Sequence, residues 1–210
     1  YRFLEAARVE QESEMGVVLV CKLRRRDYLL LDGASYFGAK GKFLVSLYEQ
    51  CERAGINLLA ISKRSPTLHD EKGRDFIAVA QELSAHPMWI YHPVARADFH
   101  KNLYGDISVV KLCADSQRIF RCDIMKYLTD SISSADEIVS PLASISEDPR
   151  CIGYPITLFL AHEFSKPSEA MLLHYHSQAE KVLEEEGLLD VLRGEELACS
   201  FADEIHGARY

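Results

Sequence analysis

Residues 27–33 read DYLLLDG, and the fold turns on how this stretch is completed. A short apolar run closed by Asp-Gly predicts a buried strand that delivers Asp32 to its carboxyl end, with Gly33 permitting a sharp exit. Downstream, from about Lys42 to Arg53, Phe43, Leu44, Leu47 and Cys51 follow helical spacing, and Gly55 stops the helix. INLLAISK, residues 56–63, is a second buried strand. The three pieces make a strand–helix–strand unit, the minimal parallel crossover. With the two strands as parallel neighbours, Asp32 and Lys63 leave the sheet on the same rim.

Working outward, residues 1–15 hold strong helix formers and no breaker, and Glu71 to Leu83 predicts another helix. The aromatic and histidine-rich stretch 86–106 follows neither period. ISVVKLC (107–113) and RIFRCDI (118–124), separated by ADSQ, predict an antiparallel hairpin. ADEIVSPLASIS (135–146) is a weaker helix or a loop. GYPITLFLAHEFSKP (153–167) predicts a short helix opened near Pro155 and ended before Pro167, and Ser168 caps a long helix running through Glu186. No internal repeat or low-complexity linker interrupts the chain, so the expectation is an α/β protein around a mainly buried sheet.

The 210 residues suffice for one sizeable core, and 48% hydrophobic with 27% charged residues is ordinary globular composition. No apolar run approaches the ~20 residues of a bilayer span, and no secretory leader opens the sequence, which begins at Tyr1. The net charge is −8, with nine acids against three bases from Glu180 onward. That balance disfavours a nonspecific nucleic-acid coat protein but leaves room for a basic stripe beside a carboxylate site. Such a stripe draws on Lys22, Arg24, Arg25 and Arg26 with Lys40, Lys42, Lys63 and Arg64; the alternative for the first four is a solvated cluster at a helix end. None of the six cysteines forms a C-x-x-C pair, so neither a zinc ribbon nor a thioredoxin-type dithiol is suggested, and a reducing, cytoplasmic setting fits.

Asp32 is the most informative single residue. A carboxylate closing an apolar strand faces a large desolvation cost unless it lies at the rim, is paired or binds a metal. Ligands of open α/β sheets gather beyond the carboxyl ends of strands, and the competing reading is a turn aspartate before glycine. Lys63 closes the second strand, where its ammonium would suit phosphoryl chemistry or simply escape to water. His162 and Glu163 interrupt an otherwise apolar helix; such a histidine is either a metal ligand or a hydrogen-bonded core residue. His174 and His176 are two apart and share no helix face. The fingerprints of P-loop proteins, dinucleotide-binding enzymes, α/β-hydrolases and zincin proteases are absent.

Three segments, in order, resemble the NurA nuclease family: LLLDGAS (29–35), LLAISKRS (58–65) and GYPITLFLAHEFSK (153–166). The last is the most specific, with Gly-Tyr-Pro followed closely by Ala-His-Glu. The resemblance implies an RNase H-like mixed sheet flanked by helices, over a nuclease domain at 1–187 followed by an acidic tail at 188–210. It also implies a metal-dependent deoxyribonuclease, a 5′ to 3′ exonuclease and single-strand endonuclease using manganese or magnesium. The implied setting is DNA end processing for recombinational repair, as a homodimer beside a HerA-type hexameric translocase ATPase and with no membrane. Carried over residue by residue, Asp32 matches the strand-end aspartate, Lys63 the I-S-K lysine and His162 the A-H-E histidine, with Glu5 as the helix acid. Asp32, Glu5 and His162 would be the metal ligands, while Arg2, Arg64 and Tyr154 would bind phosphate or shape the groove. The family's earlier D-G-S segment, which supplies the first aspartate, has no counterpart before Asp32. The implied protein is therefore a shortened nuclease or a relative lacking one ligand, with a non-catalytic scaffold that binds DNA or a translocase as the rival. A small-molecule phosphate enzyme is a third class.

Overall fold

The computed structural model describes residues 11–12, 14–34, 42–63, 68–98, 102–131 and 134–188. The chain divides into two compact units, 1–161 and 162–210. The expected helix over 1–15 lies mostly outside the described residues, although residues 14–20 are helical. Of the expected acidic tail, only Leu188 is described.

In the first unit the run 28–32 forms β1 (Tyr28–Asp32), as its apolar pattern requires. Helix α1 (Lys42–Ala54) carries the chain to β2 (Asn57–Ser62). The helix ends at Gly55, whose φ of 67° is open to glycine at little cost, and the amide of Ile56 donates back to the carbonyl of Cys51 at 2.9 Å. β1 and β2 pair in parallel, in the register Leu30↔Leu59 and Asp32↔Ile61. The predicted hairpin forms as β4 (Gly105–Lys111) and β5 (Phe120–Met125), and β3 (Trp89–Ala95) comes from the stretch that showed no period. The sheet order is β1-β2-β5-β4-β3, antiparallel throughout except for the β1–β2 pair. Pro93 lies in β3, where a missing N–H is tolerated because the strand closes one end of the sheet order.

The helix expected over 71–83 is shorter: α2 spans Phe76–Leu83. Asp70 accepts from the backbone amides of Lys72 and Arg74, at 2.9 and 2.8 Å, and from the Arg74 guanidinium at 2.8 Å. This local turn outcompetes the first helical turn, and Asp75 then caps α2 by accepting from the amide of Ala78 at 3.0 Å. After the single-turn α3 (Lys126–Thr129), the ambiguous segment 135–146 settles as α4 (Ala135–Ser144) despite Pro141. Its residues Ala135, Ile138, Val139 and Leu142 are buried at helical spacing, and burial at roughly 25 cal/mol per Å² outweighs the proline penalty near the last turn. These residues join Leu47 and Cys51 of α1 and the leucines of β1 and β2 in one core, so the mixed sheet is flanked by helices.

Cys51 and Cys122 are buried with thiols that burial pushes up, the first to about 12, whereas Cys21 is exposed. A thiol-selective reagent at neutral pH should therefore label Cys21 in the native chain and reach Cys51 and Cys122 only after unfolding. Peptide mapping of the labelled protein checks this, and native labelling of Cys51 would contradict the core described above.

In the second unit, α5 (Ile156–Ser165), which begins in the first, ends before Pro167, and α6 (Glu169–Glu185) follows. Ser168 caps α6 by accepting from the amide of Met171 at 3.2 Å.

Candidate functional site

The parallel register brings the ends of β1 and β2 level, and the ladder continues one step further as Gly33 donates to the carbonyl of Ile61 at 2.9 Å. Gly33 has a φ of 149°, so the chain leaves the sheet directly behind Asp32. Lys63, one residue beyond β2, donates from Nζ to Asp32 Oδ2 at 2.8 Å. The side chains of Lys63 and Asp32 remain 43% and 33% exposed, so the pair faces solvent and adds at most about 1 kcal/mol to stability.

The other Asp32 oxygen accepts from the Tyr154 hydroxyl at 3.0 Å. Tyr154 is held by the turn before α5, where Gly153 has a φ of 86° and donates to the carbonyl of Ser146 at 2.7 Å. A Cβ at residue 153 would collide with the Ser116 side chain, whose hydroxyl donates to the carbonyl of Ile152 at 3.1 Å. The Gly-Tyr-Pro string thus has a packing reason: glycine lets the turn approach Ser116, tyrosine reaches Asp32, and proline opens α5. The Tyr154 ring is only 4% exposed, lies 5.1 Å from the Phe120 ring and carries the Lys63 ammonium 5.0 Å from its centre. Burial, and then the neighbouring Asp32 carboxylate, push the Tyr154 phenol well above its ordinary value, so it stays protonated and acts as a donor.

Asp32, Lys63 and Tyr154 therefore form one cluster. Tyr154, expected to bind phosphate or shape the groove, is buried behind Asp32 and donates to it. Tyr154→Phe removes one hydrogen bond of about 1 kcal/mol while keeping the ring packing. We expect the urea midpoint to fall by about 0.5 M and a several-fold drop in any activity that depends on Asp32 orientation. A large loss of stability would instead make Tyr154 chiefly a structural residue.

The other candidates are distributed differently. Arg2, Glu5 and Arg64 lie outside the described residues. His162 is exposed on α5 and falls in the second unit, and its neighbour Glu163 pairs with Lys166 at 2.6 Å. Arg24, Arg25 and Arg26 are exposed but precede β1, whereas Asp32 ends it. A five-residue strand at ~3.3 Å per residue sets them at the other end of β1 from Lys63, and Lys40 and Arg64 of the expected stripe lie outside the described residues.

Two polar groups escaped the sequence reading. Arg121 and Asp123 of β5 form a buried two-pronged pair, at 2.6 and 2.8 Å, with side chains 8% and 0% exposed. Asp123 pairs across the sheet with Ala60, whereas Asp32 aligns with Ile61, so the two acids lie on opposite faces and share no ligand. The signal was present in RCD, where two opposite charges at i and i+2 in an apolar strand must share a face. Asp106 of β4 is also buried, accepting from the amide of Ala97 at 2.6 Å and the hydroxyl of Thr129 at 2.9 Å.

The donor set decides how far a metal fits. Among the described residues no three His, Cys, Asp or Glu side chains gather as ligands. Both Asp32 oxygens already accept from Lys63 and Tyr154. The described residues therefore do not make a divalent-ion site by themselves.

Fold and rim together define an α/β protein with a mixed five-stranded sheet and a charged cluster at the carboxyl ends of its two parallel strands. No family model matches the chain, and no curated protein matches it. Among solved structures, the chain is similar to the NurA nuclease from Sulfolobus solfataricus, at 20% identity with a TM-score of 0.48 over 70% of this chain. The matched part spans 44% of that protein's length. Among the described residues no helix is long and apolar enough to cross a membrane.

Proposed function

We propose that the chain is a nuclease domain that acts on DNA, single- or double-stranded, at the rim formed by β1 and β2. The observation that carries this reading is the Asp32 carboxylate, held at 2.8 Å by the Lys63 ammonium and at 3.0 Å by the Tyr154 hydroxyl, with one side open to solvent. Asp32 would orient water or take its proton, and Lys63 would offset charge on the phosphate as the phosphodiester is attacked. Tyr154 would keep the carboxylate aimed. Manganese or magnesium belongs to the proposal only through ligands beyond the described ones, where Glu5 lies. DNA end processing beside a HerA-type translocase is the setting proposed for the whole protein, within a cytoplasmic compartment.

A second reading has its own support: an Asp32 already engaged on both oxygens also suits a non-catalytic subunit that binds DNA or a translocase. The experiment is cleavage of end-labelled single-stranded DNA by the purified full chain, with manganese, magnesium or chelator. Cleavage that is lost in Asp32→Asn supports the nuclease. DNA binding without cleavage, from protein shown to be folded, supports the scaffold. Neither binding nor cleavage overturns both.

A further inference from the structure

The first unit holds a recess between β3 and the start of α4, with a volume of about 380 Å³. That lies within the ~300–1,000 Å³ of small-ligand sites. β3 and β1 close opposite ends of the sheet order, so four strand spacings of ~4.8 Å set the recess roughly 20 Å from the Asp32 rim.

Hydrogen bonds fix its walls. Buried Asp106 accepts from the amide of Ala97, next to Arg96, at 2.6 Å and from the hydroxyl of Thr129 at 2.9 Å. Ser134 caps α4 by accepting from the amide of Asp136 at 3.2 Å. On β3, His92 Nδ1 lies 2.8 Å from the hydroxyl of Ser108, which is fully buried. Among the described residues that hydroxyl has no other hydrogen-bond partner. Its hydrogen therefore goes to Nδ1, and the imidazole carries its own on Nε2. Burial lowers the His92 pKa, with Arg96 assisting and Asp106 and Asp136 opposing, so the ring is neutral at neutral pH.

The β3 wall thus donates, through His92 Nε2–H and the Arg96 guanidinium, and the α4 wall accepts, through the Asp136 carboxylate. Ile90, Pro93 and Ala135 supply apolar lining. A plain anion is disfavoured, because Asp136 and Glu137 occupy the first turn of α4 and offset its dipole. A cation would meet Arg96. What fits is a flat neutral ring with acceptors along one edge and donors along another. Guanine is such a ring: O6 and N7 accept, while N1–H and the 2-amino group donate side by side to a carboxylate. Adenine and cytosine would set a ring-nitrogen lone pair against Asp136, and thymine its carbonyls.

We propose that this recess binds a guanine base, from a free nucleoside or from an unstacked position of a DNA strand. The inference is independent of what the rim around Asp32 does.

Calorimetric titration of the full chain with guanosine, in chelator, tests it by binding alone. The expected result is one guanosine per chain, with inosine, which lacks the 2-amino group, at least about tenfold weaker. Asp136→Asn should weaken guanosine at least about tenfold and erase the preference over inosine, whereas Arg96→Ala should weaken both nucleosides alike. Both positions are exposed, so circular dichroism should stay unchanged. An oligothymidylate carrying one central guanine identifies the source of the base. If it binds more tightly than plain oligothymidylate, through Asp136, the base comes from a strand; if guanosine alone binds, the ligand is a free nucleoside. No guanine-dependent binding by either ligand up to about 1 mM overturns the proposal. Adenosine or cytidine as tight as guanosine overturns the choice of guanine, and binding indifferent to both variants overturns the assignment to this recess.

Discussion

Asp32→Asn should reduce DNA cleavage by at least about 100-fold while leaving the fold intact, because the substitution removes the charge and keeps the shape. The Asp32–Lys63 pair is partly exposed, so losing it costs no more than about 1 kcal/mol of stability. Tyr154 still has an oxygen to donate to. Taking a negative charge away from Lys63 also leaves the rim more positive, so DNA affinity should hold or rise. The signature is thus a fall in turnover without a fall in binding, which a merely destabilised protein would not show. Lys63→Ala should lower both, because in the proposed mechanism the ammonium is the group that would face the phosphate. The double variant should be little worse than Asp32→Asn alone, since the two residues act as one unit. Cleavage by Asp32→Asn within about threefold of the parent would remove Asp32 from the chemistry. Filter binding and single-turnover cleavage on the same preparations supply both quantities.

The second large effect is on stability and lies on the other face of the sheet. Arg121→Met leaves Asp123 as a fully buried carboxylate deprived of its guanidinium, and the expected loss is about 3–5 kcal/mol. Replacing both residues, as Arg121→Met with Asp123→Leu, should recover most of that loss, because two apolar side chains carry no desolvation cost in the same space. Urea unfolding of the three proteins measures it. A loss below about 1 kcal/mol for Arg121→Met would mean that water reaches Asp123, against its burial. A double variant as unstable as the single would mean that the pair shapes β5 in a way apolar packing cannot replace.

Much of this architecture is local and was therefore legible. DYLLLDG and INLLAISK carry their strands in their own composition, and Gly55 and Ser168 mark their helix boundaries by turn and cap chemistry that needs no distant partner. The shortened start of α2 was not legible, because Asp70 could serve a turn or a helix and its bonds to Lys72 and Arg74 chose the turn. β3 was hidden because a strand next to a single neighbour, bent by a register shift between Tyr91 and Ala95, has little need for a strict alternation of apolar residues.

The sequence by itself determined the crossover, and with it the meeting of Asp32 and Lys63 at one rim, since parallel neighbours of similar length must end level. Only the tertiary structure decided that Tyr154 stands behind Asp32, 122 residues away in sequence, because a turn built on Gly153 and Ser116 aims it there. Only the tertiary structure put Asp123 on the face opposite Asp32. Those are questions of which end and which side of a sheet, and a linear pattern of residue types does not fix either until the strands have paired.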